Sequence, residues 1–346
     1  SQDKRKTTRL STTVTMLNTV AGQEMSLPGY LKIEFDEIRT EKEIASGGGG
    51  KIFFGSVVNK EIRKRFPDIC DNLAIKLIHD RDDLTKEENL ANFRQEVSVS
   101  NAMSFHLNIF KIVAYCENPN LYIISPLYQG DLGSLISNKD KYSYGYLEMM
   151  DIVQHIVAGL EAIHSFGVAH RDIKPKNILL ERRTINSKSG MNPGEWSSFA
   201  FRMKICDFGV CYVANSDQIV SKQILMNLFG LSPRYAPPEA FTHFCSEDFE
   251  GDLIDYQMAD VYSFSITLWE ILHRETPWEG LKSNDIKKEV VNGNRPPIKL
   301  DDDDQNKLSK EEFLIGIVKN GWNHNPKIRQ NFTQIHTKLK LLMSDD

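Results

Sequence analysis

The chain reads as an α+β protein: a small, mainly β first part with one main helix, then a large, mainly α second part. Three observations lead there. Apolar runs of strand length flank a glycine-rich turn at 44–57 and recur at 73–78 and 121–128, all before residue 130. After that point the apolar residues change to helical spacing, with Ile152, Val153, Ile156, Val157, Leu160 and Ile163 on one stripe. The 346 residues, 40% hydrophobic and 26% charged, are ordinary for a globular protein and enough for one large domain or two lobes.

The charge balance narrows the classes. A net charge of −5 gives no sign of a nucleic-acid partner, and the short clusters Lys4-Arg5-Lys6 and Arg63-Lys64-Arg65 read as solvated faces. No apolar run reaches the length of a membrane span, and the polar start does not read as a signal peptide. Cysteines 70, 116, 206, 211 and 245 form no C-x-x-C pair, which suits reduced thiols in a cytoplasmic protein.

Residues 1–37 are expected to be a flexible N-terminal linker, rich in Ser, Thr, Lys and Arg. From Tyr30, alternation through Leu31, Ile33 and Phe35 suits a strand leading into the domain. The consecutive glycines 47–50 let backbone N–H groups approach a phosphate, or make a flexible hairpin turn. Residues 59–72 are a charged insertion with Pro67. Lys76 then sits inside the apolar strand 73–78, an expensive place for an ammonium without a partner. A helix over 84–103 follows, with Leu90, Phe93, Val97 and Val99 as its apolar positions. The helix over 147–165 is strongly amphipathic, and Gly167 suits its C-terminal cap.

That second helix delivers the chain to His170-Arg171-Asp172-Ile173-Lys174-Pro175-Lys176-Asn177, followed by the apolar run Ile178-Leu179-Leu180. Pro175 fits neither a helix interior nor a central strand, so the charged groups belong to a loop. A loop with Asp, Lys and Asn offers a base, a cation and a metal ligand, a set suited to moving a phosphoryl group onto a hydroxyl. The same run also fits a solvated charged loop. Lys204-Ile205-Cys206-Asp207-Phe208-Gly209 decides between them by placing a second Asp directly after a short apolar strand.

In this order, the two segments resemble the catalytic core of a eukaryotic protein kinase. The resemblance implies a bilobal kinase fold over 38–343, with an N-lobe at 38–126 and the hinge and C-lobe at 127–343. It implies ATP and Mg²⁺ as cofactors, with Mn²⁺ as an alternative, protein substrates, and self-association for phosphorylation in trans. Asp172, Lys174, Lys76 and Glu96 become the catalytic set, with Glu87 and Glu88 as competing partners for Lys76 in other registers. Asn177 and Asp207 become the metal ligands. Ala45, Gly47, Gly50, Ile52, Ala74, Lys76, Pro126 and Tyr128 become the nucleotide-binding positions. Ala45 stands where the family has a glycine, and Gly49 where it has an aromatic loop tip. Ser100 replaces an aliphatic residue of the family's regulatory spine, and Ser125 is a small gatekeeper.

Further motifs extend the resemblance. Tyr235-Ala236-Pro237-Pro238-Glu239 resembles the end of an activation segment, and Glu239 needs a buried partner, which the resemblance places at Arg329. Asp260 opens a largely apolar helix and would brace the catalytic loop, with Ser265 where the family has Gly. Arg171 suggests a regulatory phosphate pocket, with Ser216 and Ser221 as candidate phosphorylation sites and Ser232 as a structural hydroxyl. Residues 181–203 are a surface-loop insertion that Trp196, Phe199 and Phe201 could dock. Asp301 to Asp304 reads as a solvated loop, and a helix over 332–343 closes the large lobe. Asp-Val-Tyr-Ser-Phe and Trp-Asn-His-Asn-Pro resemble the tyrosine-kinase-like branch, while Lys174 resembles a serine/threonine-type loop. A pseudokinase acting as an ATP-binding or scaffolding module is the alternative.

Overall fold

The computed structural model describes residues 27–47, 49–67, 69–80, 82, 84–142, 144–183, 201–213, 232–243, 254–299 and 305–344. They form two compact units. The first runs to Gln129 and includes Cys206–Gly209; the second takes Gly130–Ile205 and the described residues from 210 onward.

The first unit is mainly β. Its antiparallel sheet has the order β1-β2-β3-β5-β4, with β1 at Ile38–Gly47, β2 at Gly50–Val57, β3 at Leu73–Ile78, β4 at Ala114–Cys116 and β5 at Tyr122–Pro126. Ile38, Val57, Leu73, Ile75, Val113 and Ile124 are buried together at its core. β1 is exposed from Arg39 onward, and its charged residues guard an open sheet edge. Gly50 has φ +133°, and a Cβ there would lie 1.9 Å from the Leu77 carbonyl oxygen, so the β1–β2 hairpin needs glycine at this position. The charged insertion contains a short helix, α1 (Lys60–Arg65), capped by Asn59, whose Oδ1 accepts from the Ile62 amide.

The main helix of this unit, α2, spans Lys86–Met103. It starts where a capping box demands: Thr85 accepts from the Glu88 amide and Glu88 accepts from the Thr85 amide. Its buried side includes Phe93, Val97 and Val99, but also Gln95, Glu96 and Ser100.

The stretch before β1 departs from expectation. No strand forms at 30–35. Two 3₁₀ turns, Gly29–Leu31 and Phe35–Glu37, flank a single parallel bridge from Lys32 to Tyr115. Nor do residues 28–37 behave as the flexible linker expected for 1–37, because Leu31 and Ile33 are each only 2% exposed. The apolar alternation was real, but it serves packing rather than ladder pairing. Residues 1–26 lie outside the described residues.

The second unit is mainly α. Among the described residues it holds α3 (Leu132–Ser137), α4 (Tyr146–Ser165), α5 (Pro238–His243), α6 (Tyr256–His273), α7 (Ser283–Val291), α8 (Gln305–Gly321) and α9 (Phe332–Ser344). Gly167, with φ +71°, ends the turn after α4 as its sequence position suggested. Two short antiparallel pairs carry the loops: β6 (Val168–Ala169) with β9 (Tyr212–Val213), and β7 (Ile178–Arg182) with β8 (Phe201–Ile205). Pairing of β7 and β8 extends to Arg182 and Phe201, so the inserted loop is shorter than 181–203. Phe201 packs edge-on to Tyr142, with ring centroids 6.3 Å apart. Trp196, Phe199 and the acidic run 301–304 lie outside the described residues. α6 is buried along nearly its whole length, and α8 closes on it where Gly321 meets Ser265; a Cβ at 321 would lie 1.9 Å from the serine Oγ.

Candidate active site

The first unit assembles one cluster. Register places Lys76 on β3 opposite Ile52 and Ile123. Its ammonium lies 3.1 Å from Glu96 Oε1 on α2 and 3.8 Å from Asp207 Oδ1. Burial alone would lower the lysine's pKa, but the carboxylates of Asp207 and Glu96 outweigh it and hold the ammonium above the ordinary lysine range. Glu96 is thus the partner the structure selects, rather than Glu87 or Glu88 in the first turn of α2. Gly209 keeps this cluster tight, since a Cβ there would come within 3.2 Å of Glu96 Oε2.

The nucleotide-binding candidates of this unit line β1, β2, β3 and β5. Ala45 pairs with Ile52, Gly47 with Gly50, and Ala74 with Phe54 and Ser125. Pro126 ends β5 opposite Leu73, and its carbonyl accepts from the buried Ser125 hydroxyl at 3.1 Å. The Leu127 amide is used by Asn72, and the Tyr128 hydroxyl accepts from the Lys111 amide.

The second unit assembles the loop at 170–177. Lys174 Nζ donates to Asp172 Oδ2 at 2.6 Å and to Ser232 Oγ at 2.8 Å. Asn177 Nδ2 donates to the Asp172 carbonyl at 2.8 Å and to its Oδ2 at 3.0 Å. The asparagine's amide nitrogen is therefore spent on Asp172, and its oxygen is the atom suited to a cation. The loop is braced from beneath. Fully buried Asp260 on α6 accepts from the His170 amide at 2.6 Å, the Arg171 amide at 2.7 Å and His164 Nε2 at 2.9 Å. Arg171 (φ +71°) and Asp207 (φ +72°) both hold left-handed backbone, a strain of about 1–3 kcal/mol each that surrounding contacts must maintain.

Two further expectations concern the second unit. Glu239 and Arg329 form a bidentate pair at 2.5 and 2.8 Å, as the motifs implied. The phosphate pocket expected at Arg171 would be completed by the segment 214–231, which lies outside the described residues. Arg171 itself is buried, its guanidinium lies 4.8 Å above the Tyr256 ring, and it donates to the Val210 carbonyl. Ser216 and Ser221, its anticipated phosphate carriers, lie outside the described residues.

Sequence reasoning missed the Tyr235–Glu270 contact. The tyrosine hydroxyl donates to Glu270 Oε2 at 2.7 Å, and burial pushes the Glu270 carboxyl up to about 7. Tyr235 and Ser232 line the same small pocket as Asp172. A charged residue inside the apolar stretch 260–271 was the available signal.

The protein kinase domain family model matches residues 40–339. The chain belongs to the protein kinase domain family. Kinase domains of this family use ATP with a divalent metal and act on protein substrates. This one is 26% identical over 316 residues to a putative serine/threonine-protein kinase/receptor, R831, of Acanthamoeba polyphaga mimivirus, covering 91% of this chain and 17% of that protein. It is 28% identical over 329 residues to a probable LIM domain-containing serine/threonine-protein kinase of Dictyostelium discoideum, covering 94% and 42%. It is 26% identical over 300 residues to serine/threonine/tyrosine-protein kinase HT1 of Arabidopsis thaliana, covering 85% and 63%. The kinase domain thus spans less than two thirds of each of these relatives. No helix among its described residues is long and apolar enough to cross a membrane.

Proposed function

We propose that this kinase domain transfers the γ-phosphoryl group of ATP to Ser or Thr hydroxyls of protein substrates in intracellular signalling, as a member of the tyrosine-kinase-like branch. The observation that carries the reading is the loop in which Asp172 is held by both Lys174 and Asn177. Asp172 orients the acceptor hydroxyl and takes its proton. Lys174, two residues on, offsets negative charge beside it and reaches Ser232 of the segment that lines the pocket. Lys76, kept charged by Glu96 and Asp207, faces the nucleotide phosphates, with the Gly47–Gly50 turn supplying backbone N–H groups.

Asp207 and Asn177 would hold the metal. A carboxylate and an amide oxygen form a hard donor set that fits Mg²⁺ better than a soft metal. When bound, the ion supplies neutralisation of phosphate charge. The names of the relatives favour Ser and Thr as acceptors. Thiols outside any disulfide at Cys70, Cys116, Cys206 and Cys211 favour a reducing, cytoplasmic setting.

The test is incubation with γ-labelled ATP, Mg²⁺ and a generic protein substrate, followed by phosphoamino-acid analysis. Lys76→Met and Asp207→Asn are each expected to lower transfer by at least about a hundredfold. Equal label in wild type and both variants would remove the kinase reading and leave the scaffolding alternative. Label confined to tyrosine would overturn the acceptor assignment.

A further inference from the structure

Residues 28–37 lie ahead of the stretch that matches the kinase family model, and nothing in the catalytic reading uses them. Their contacts are nevertheless specific. Leu31 and Ile33 are buried in the first unit. Between them, Lys32 bridges to Tyr115, and the Ile33 amide donates to the Tyr115 carbonyl at 3.0 Å. The Tyr115 ring in turn packs edge-on to Phe93 of α2, with centroids 6.3 Å apart.

Two polar links run from this strap to α2. Lys32 Nζ lies 3.3 Å from Glu117 Oε2, and Arg94 Nε on α2 donates to the other oxygen of the same carboxylate at 2.9 Å. Glu117 therefore joins strap to helix, each oxygen taken by one side. The second link is direct: the Tyr30 hydroxyl donates to Asn101 Oδ1 at 3.2 Å. Tyr30 is itself fixed by Arg65, whose guanidinium lies 4.6 Å over its ring and donates to its carbonyl at 3.0 Å. Arg94 and Asn101 stand about two helical turns apart and bracket Glu96, the residue that holds Lys76.

The helix also has a reason to need outside support. Ser100 is fully buried in α2, and its hydroxyl has no hydrogen-bond partner among the described residues. That face of α2 is a weak anchor, because an unsatisfied buried hydroxyl opposes packing.

We propose that residues 28–37 are a positioning strap for α2, in which Tyr30 and Lys32, acting through Asn101 and through Glu117 to Arg94, hold Glu96 in register with Lys76. Buried Leu31 and Ile33 anchor the strap, and the polar links set where α2 sits. Anything that lifts this segment would loosen the Lys76–Glu96 pair, so the strap is also an input through which the kinase can be regulated. The catalytic consequence rests on the function proposed above for Lys76 and Glu96; the mechanical one does not.

The experiment compares the full chain with the double variant Tyr30→Phe/Lys32→Met, with Glu117→Gln, and with Lys32→Arg as the conservative control. Tyr30 and Lys32 are exposed, so the double variant retains the core. Hydrogen exchange reads α2 directly. Its amides from 94 to 103 should exchange at least about tenfold faster in the double variant and in Glu117→Gln, with α6 unchanged and Lys32→Arg like wild type. In parallel, kcat/KM for ATP should fall about tenfold in the first two variants and hold in the third. Unchanged exchange in α2, or equal acceleration in both units, would overturn the strap. A loosened α2 with unchanged kcat/KM would overturn its positioning role. A wild type without turnover would instead remove the kinase reading, while exchange would still decide the strap.

Discussion

α6 and α2 each bury polar side chains beside a chemically important segment, yet they treat them differently. On α6, Asp260 is fully buried and meets three donors: two loop amides and a histidine. Glu270, further along α6, is nearly as buried and among the described residues meets one hydroxyl, that of Tyr235. On α2, Ser100 is fully buried and meets none among the described residues. Burial costs a polar group its water, and what decides the sign is how many partners replace it. The loop at 170–177 is consequently pre-organised from beneath, whereas α2 depends on contacts beyond its own packed face.

The steepest way to break this comparison is Asp260→Ala. It strands three buried donors at once, and a loss of about 3–5 kcal/mol is expected in chemical denaturation. A loss under about 1 kcal/mol would mean that the loop holds its shape without the brace.

Glu270 supplies the intermediate case through pH. Its folded carboxyl is raised to about 7 by burial, against the opposing pull of the Tyr235 hydroxyl and Arg234. Tyr144 is also within electrostatic reach of Glu270, and its ring lies 4.5 Å beneath the Arg274 guanidinium. An unfolded glutamate titrates near 4.3. Between those values the folded chain holds a proton that the unfolded chain has released. The stabilising contribution is therefore full below about pH 4.3 and is lost as pH rises through about 7. Glu270→Gln removes this dependence and can still accept from Tyr235. Relative to wild type, the variant should gain on the order of 2–3 kcal/mol between pH 5 and pH 8. Denaturation midpoints whose difference stays flat across that range would show that Glu270 is ionised throughout.

The smallest effect is expected at Ser100. Ser100→Ala removes an unpartnered hydroxyl and should stabilise the chain by about 1 kcal/mol. It should also slow hydrogen exchange in α2 and reduce the helix's dependence on the strap. Destabilisation instead would show that the hydroxyl is satisfied and that the contrast with α6 does not hold.

Much of the fold was legible because its signals are local. The α2 capping box, the stripe of α4 and the glycine after it lie within a few residues of what they specify, and each element formed within a residue or two of its expected bounds. Much of the site was legible too, since Asp172, Lys174 and Asn177 come from one loop and the fold had only to close it on itself. The stretch at 30–35 failed for a physical reason: alternating burial of Leu31 and Ile33 is compatible with a strand, but also with turns packed against one.

What the sequence by itself determined is the kinase family, most of the element types and the identity of the groups that carry charge into the site. What only the tertiary structure decided is which distant groups meet. Arg171 faces Tyr256, Tyr235 is given to Glu270, and Lys32 and Arg94 share Glu117. These partners lie 23 to 85 residues apart in the chain, beyond any local period. A charged side chain near the interior takes whichever partner the packed backbone brings within hydrogen-bond reach, and that choice exists only once the core has closed.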